Sequence, residues 1–77
     1  MRKVTVNLNE MGRVNSFVNT ASTFISDIDA IRGHYVIDGK SLMGLLSLDL
    51  SKPLDVTIHS DDEEELQRFE LEMEKYK

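Results

Sequence analysis

The apolar residues of this chain switch repeatedly between a period of two and a period near 3.6, and that switching constrains the fold more than any other feature. Val4, Val6 and Leu8 alternate with Lys3, Thr5 and Asn7, as in a strand with one face buried and one face wet. Asn9-Glu10-Met11-Gly12 breaks the alternation. Val14, Phe17, Val18, Ala21, Phe24 and Ile25 then recur at helical spacing, opposite a polar face of Asn15, Ser16, Asn19, Thr20, Ser22 and Thr23. Those small polar residues are mediocre helix formers, so this first helix depends on packing more than on propensity.

Ile28 and Ala30 predict a second strand, and Tyr35 with Ile37, or Val36, a third. A turn at Arg32-Gly33-His34 joins them, where glycine takes a positive φ. Between Asp38 and Leu50 a turn, a helix start and a dense apolar run crowd together. Gly39 frees the backbone, Ser41 caps a short helix through its hydroxyl, and Leu42, Leu45, Leu46 and Leu48 give that helix apolar sides. Asp49-Leu50-Ser51-Lys52-Pro53 is a linker in which proline ends any helix, and Leu54, Val56 and Ile58 alternate as a fourth strand. Ser60-Asp61-Asp62-Glu63 has the spacing of a capping box, and Leu66, Phe69, Met73 and Tyr76 form the apolar stripe of a last helix.

The order is β-α-β-β-α-β-α, without repeats or low-complexity segments, so residues 1–77 are expected to form one domain. The expected core is Val4, Val6, Phe17, Val18, Ala21, Ile28, Ile37, Leu45, Leu48, Val56, Ile58, Leu66 and Phe69. A ferredoxin-like or ACT-like domain, the latter a small-ligand sensor, shares the first six elements but places its first strand centrally. Periodicity alone does not separate it from an open-faced sandwich.

Composition narrows the function. With 77 residues there is room for one small core, and size alone excludes most active sites of larger enzymes. Nine Lys and Arg against fourteen Asp and Glu give a net charge of −5, a field that repels nucleic acid and acidic membranes. Without cysteine there is no disulfide, thiolate or cysteine–zinc chemistry. Apolar runs are too short to span a bilayer, and Met1-Arg2-Lys3-Val4-Thr5 lacks a signal-peptide core, so the expected location is cytoplasmic.

Few residues invite chemistry. His34 falls in the hairpin turn and His59 at the exposed phase of the last strand, on separate elements and with no paired acid expected, so no metal site and no cofactor are predicted. Gly39-Lys40-Ser41 superficially ends a phosphate-binding loop, but that motif requires glycine where His34 stands, and a parallel sheet.

The run Lys40-Ser41-Leu42-Met43-Gly44, with Ser47-Leu48 behind it, resembles the second helix of HPr, the phosphocarrier of the sugar phosphotransferase system, in its Gram-positive members. The resemblance runs without gaps from about Ser16 to Ser60 and more loosely over the whole chain. It implies an α+β fold: an HPr-like open-faced β-sandwich, with a four-stranded antiparallel sheet covered on one face by three helices. An HPr phosphocarrier has a histidine just before the first helix, then Arg two residues on and Pro next. Aligned back from Phe17-Val18, those positions hold Glu10, Gly12 and Arg13.

The resemblance therefore implies a regulatory or adaptor relative without phosphocarrier activity, not an enzyme. A working phosphocarrier with a non-standard acceptor, such as an acyl phosphate on Glu10, is the alternative. Ser41 corresponds to the serine that a dedicated kinase phosphorylates in Gram-positive members, though capping alone, worth about 1 kcal/mol, also explains a serine there. Met43 and Leu46, with Asn15 and Asn19 on the first helix, lie by resemblance on the family's docking side. The implied partners are proteins, of the phosphotransferase system or of transcriptional regulation, with no nucleic acid and no membrane.

Overall fold

The computed structural model describes all residues from Met1 to Lys77. Strands β1 (Arg2–Val6), β2 (Ile28–Arg32), β3 (Tyr35–Asp38) and β4 (Leu54–Ile58) are connected through helices α1 (Met11–Ala21), α2 (Leu42–Leu46) and α3 (Glu63–Met73), and a 3-10 turn at Glu74–Tyr76 follows α3. The sheet order is β1-β4-β2-β3, with every neighbouring pair antiparallel. Because β1 lies at an edge, the ferredoxin-like and ACT-like arrangement is excluded.

The register explains which face the helices cover. Val4, Val56, Ala30 and Ile37 form one row across the sheet, flanked by Ile58 with Ile28 and by Leu54 with Val6. Burying that apolar face under the helices is what holds the two layers together. The opposite face carries Lys3, Thr57, Asp29 and Asp38 in one row and Thr5, Asp55, Ile31 and Val36 in the next. Mostly polar, it stays uncovered.

Phe17 and Phe69 are wholly buried and anchor the core between the layers. Phe17 meets Tyr76 edge-on with ring centroids 5.5 Å apart, and Phe69 meets Phe24 likewise at 5.9 Å. Such pairs add about 0.5–1.5 kcal/mol beyond the area they bury.

Several expectations need correction. The first helix stops at Ala21 instead of running on through Ile25. Ser22 and Thr23 turn their hydroxyls back onto the carbonyls of Val18 and Thr20, offering the chain an alternative to further helix. The Ile25 and Ser26 N–H groups donate instead to Glu65 on α3. Phe24 still reaches the core, but Ile25 is 96% exposed.

The last helix is capped by Asp62, whose carboxylate accepts from the Glu64 N–H, and not by a box opening at Ser60. Two residues earlier, the Ser60 hydroxyl accepts from the Asp62 N–H. Gly33 has the expected positive φ of 57°, but Gly39 has an ordinary φ. Its missing Cβ matters because one would stand 2.8 Å from Ile28 Cγ2.

Val4, Val18, Ile37 and Leu48 only border the core, while Leu8, Val14, Phe24, Ala30, Leu54, Met73 and Tyr76 belong to it. Tyr76 gets there through the 3-10 turn, where its hydroxyl lies 2.7 Å from Ser16 Oγ and 3.0 Å from Thr20 Oγ1.

Candidate functional site

The start of α1 is where the resemblance places the family's histidine position, held here by Glu10. Glu10 is the N-cap residue, in extended conformation with φ −141° and ψ 147°, and its side chain makes no capping bond. Its backbone carbonyl accepts the first helical bonds, from the N–H groups of Arg13 and Val14. The carboxylate is left exposed to solvent, and none of the molecule's ion pairs includes it. Arg13, one turn on, is engaged elsewhere: Nε donates to the Asn7 carbonyl at 2.8 Å, and the guanidinium carbon lies 5.9 Å from the centre of the Tyr76 ring.

Beside α1 lies α2, whose short length leaves one residue, Leu45, in the core. Gly44 allows the close approach of α2 to β3, since a Cβ there would lie 2.6 Å from Ile37 Cγ2. The helix thus turns Met43 outward, 85% exposed, and leaves Leu46 43% exposed. Ser41 caps it as expected: Oγ accepts from the Gly44 N–H at 3.1 Å. Lys40, just before, donates through Nζ to the Phe24 carbonyl at 2.7 Å and so ties the α2 start to the segment after α1.

Between the two helices is a groove of about 200 Å³ lined by Leu8, Asn9, Glu10, Met11, Val14, Leu46 and Leu50. The structure therefore brings Glu10 and Leu46 together. Asn15, Asn19 and Met43 are exposed on the same two helices, outside the groove lining. Sequence reasoning missed Leu8, Met11, Val14 and Leu50 as parts of this site. The four-residue step from Met11 to Asn15 and Asn19 was the available signal that Met11 shares their side of α1.

The histidines stand apart from it. His34 is exposed in the turn leading into β3, which β4 and β2 separate from β1 across the sheet. His59 follows Ile58, which pairs with Arg2 at the end of β1 remote from α1. Contrary to expectation His59 does have an acid partner, its Nε2 lying 2.7 Å from Asp29 Oδ2 on the uncovered face. The pairing was illegible because Asp29 becomes a neighbour only through the β2–β4 register. No three His, Asp or Glu side chains converge as a metal site would need.

A second, polar depression of about 660 Å³ lies between the end of α1 and the start of α3, lined by residues that include Ser26, His59, Asp62 and Glu65. Glu65 accepts from the N–H groups of Ile25 and Ser26, both at 3.1 Å, and from the Ser26 hydroxyl. The Ser26 hydroxyl above all, then the Ser60 hydroxyl and the backbone donors, bring its pKa down to about 2. Opposite, Arg68 lies over the Phe24 ring at 3.7 Å and donates to Thr23. These contacts hold the α1–β2 connection against α3.

The fold defines a small open-faced α+β module of the phosphocarrier type, with the groove lying between the start of its first helix and its short second helix. Residues 12–72 match the family model described as the PTS HPr component phosphorylation site, and the chain belongs to the HPr family of the phosphotransferase system. Members of this family are phosphocarriers rather than enzymes and work through other proteins of that system.

Among solved structures, HPr-C-His from Thermoanaerobacter tengcongensis is 27% identical with a TM-score of 0.75, over 96% of this chain and 92% of that one. A phosphocarrier protein HPr from Bacillus anthracis str. Ames is 22% identical with a TM-score of 0.77, over 99% and 94%. Crh, the catabolite repression containing protein of Bacillus subtilis, described as a swapped dimer, is 24% identical with a TM-score of 0.63, over 94% and 85%. The latter two bear on the fold alone. A comparison with curated protein sequences finds no match. No helix is long and apolar enough to cross a membrane.

Proposed function

We propose that this chain is a cytoplasmic regulatory or adaptor member of the HPr family that acts by docking to proteins, without serving as a phosphocarrier. The observation that supports the reading is at Glu10, which by the resemblance stands at the family's histidine position: it is an exposed carboxylate with no cation paired to it. A carboxylate repels an incoming phosphoryl group, and the position at which the family has arginine is held here by Gly12, which offers no side chain to neutralise it. The docking surface comprises Met43 and Leu46 on α2 with Asn15 and Asn19 on α1. Its partners are proteins of the phosphotransferase system or transcriptional regulators.

Incubation with the phosphoenolpyruvate-dependent kinase of the system and labelled phosphoenolpyruvate tests this directly. The expected result is an unlabelled chain. Label stable at neutral pH but released by hydroxylamine would reveal an acyl phosphate on Glu10 and overturn the reading in favour of a working carrier.

Ser41 is the proposed regulatory position. A phosphate on it would add about two negative charges beside exposed Met43, penalising a partner that buries that surface and favouring one that offers arginine. Treatment with an HPr-type serine kinase followed by mass spectrometry should place phosphate on Ser41, and Ser41→Asp should alter binding of native partners. An unmodified chain with unchanged binding would reduce Ser41 to a cap.

A further inference from the structure

We infer that the groove between α1 and α2 takes a protein surface presenting a cationic side chain, Arg or Lys, immediately beside a large apolar one. The inference rests on the docking reading above and adds the chemistry of the partner. The apolar half of the match is set by the groove itself. Leu8 and Val14 form its buried floor, while Met11 and Leu46 remain 54% and 43% exposed along it. Methionine and leucine side chains at such a rim adapt to an incoming aliphatic or aromatic group, and covering them removes apolar area from water.

The charged half is set by Glu10. Its carboxylate is spent neither on the helix cap nor on an ion pair, and Arg13 is held against Asn7 and Tyr76. A partner that closes the groove removes water from this carboxylate, and an unpaired charge is costly to bury. The counter-charge must therefore come from the partner, and an acidic partner surface meets a like charge at the centre of the contact. A second copy of this chain is a poor occupant. Each copy carries a net charge of −5, so two copies repel one another.

The test selects a displayed library of helical peptides against the full chain, against Glu10→Arg, and against Glu63→Arg, which reverses an exposed charge on α3 outside the groove. The parent and Glu63→Arg should enrich peptides with Arg or Lys next to Leu, Met or Phe, whereas Glu10→Arg should enrich Asp or Glu at that place. Bound peptide should shift the amide resonances of Glu10, Met11 and Leu46, and Glu10→Gln should weaken binding about tenfold.

Groove-binding peptides with the same charge preference for the parent and Glu10→Arg would overturn the cationic partner while leaving the docking face intact. Selected peptides that map elsewhere, no enrichment, or self-association of the chain through the groove would also overturn the inference. Acyl phosphate on Glu10 in the phosphotransfer assay is a separate failure, of the adaptor reading itself.

Discussion

Glu65 on α3 accepts hydrogen bonds from both the backbone N–H and the hydroxyl of Ser26, so one carboxylate fastens the α1–β2 connection to the last helix. These donors favour the ionised form and bring its pKa from an ordinary 4.5 to about 2. The folded chain thus keeps Glu65 ionised at acidities where the unfolded chain protonates it, and the stabilisation is complete above pH 4.5. It is lost as the pH falls from there towards 2. Denaturant titrations from pH 7 to pH 2 should show Glu65→Gln less stable than the parent at neutral pH, with the gap closing through that acid window. A gap that stayed constant with pH would remove the ionised carboxylate from the explanation.

Phe17→Ala and Phe69→Ala should each destabilise the fold by roughly 3–5 kcal/mol, the usual effect of emptying a buried aromatic site. A small domain commonly has only about 5–15 kcal/mol in total, so either variant should melt far below the parent or fail to fold. Calorimetry or circular dichroism reads the outcome. Parent-like melting of both would mean that the helix faces are wrongly assigned.

Gly44→Ala pits helix propensity against packing. Alanine in a helix interior is favoured over glycine by about 1 kcal/mol, but here its Cβ would meet Ile37 Cγ2 at 2.6 Å and Ser41 Oγ at 3.2 Å. Ile37 is branched at Cβ and yields poorly, so overpacking of about 1–3 kcal/mol should win and the variant should lose stability. In an Ile37→Ala background the same substitution should become neutral or stabilising, a reversal that a double-mutant cycle measures.

Tyr76→Phe deletes the hydroxyl that Ser16 and Thr20 share. The expected loss is about 1 kcal/mol, because both partners lie near solvent and water replaces the bond. Tyr76→Ala should lose about 3–5 kcal/mol, since it also removes the ring packed edge-on against Phe17. Equal losses for the two would make the ring irrelevant and the hydroxyl decisive.

Much of the layout was legible in the chain because it is written locally. Val4 and Val6, Ile28 and Ala30, and Val56 and Ile58 alternate with polar neighbours, and Gly33 and Ser41 carry turn and cap chemistry in their own side chains and backbones. Such signals depend on residues a few positions apart, so sequence alone determined the order of elements, the covered face of the sheet and the cap of α2. The run around Ser41 also pointed to the family.

Only the tertiary structure decided the rest, because each deciding contact joins residues far apart in the chain. Strand order follows from β4 inserting between β1 and β2. The end of α1 is set with Glu65 from α3 taking the N–H of Ile25. His59 acquires Asp29, and Tyr76 docks on Ser16 and Thr20, through pairing and packing that no local period encodes. The groove itself exists only when Leu8, Val14, Leu46 and Leu50 meet beside Glu10, since a concave surface belongs to the packing of elements and to none of them singly.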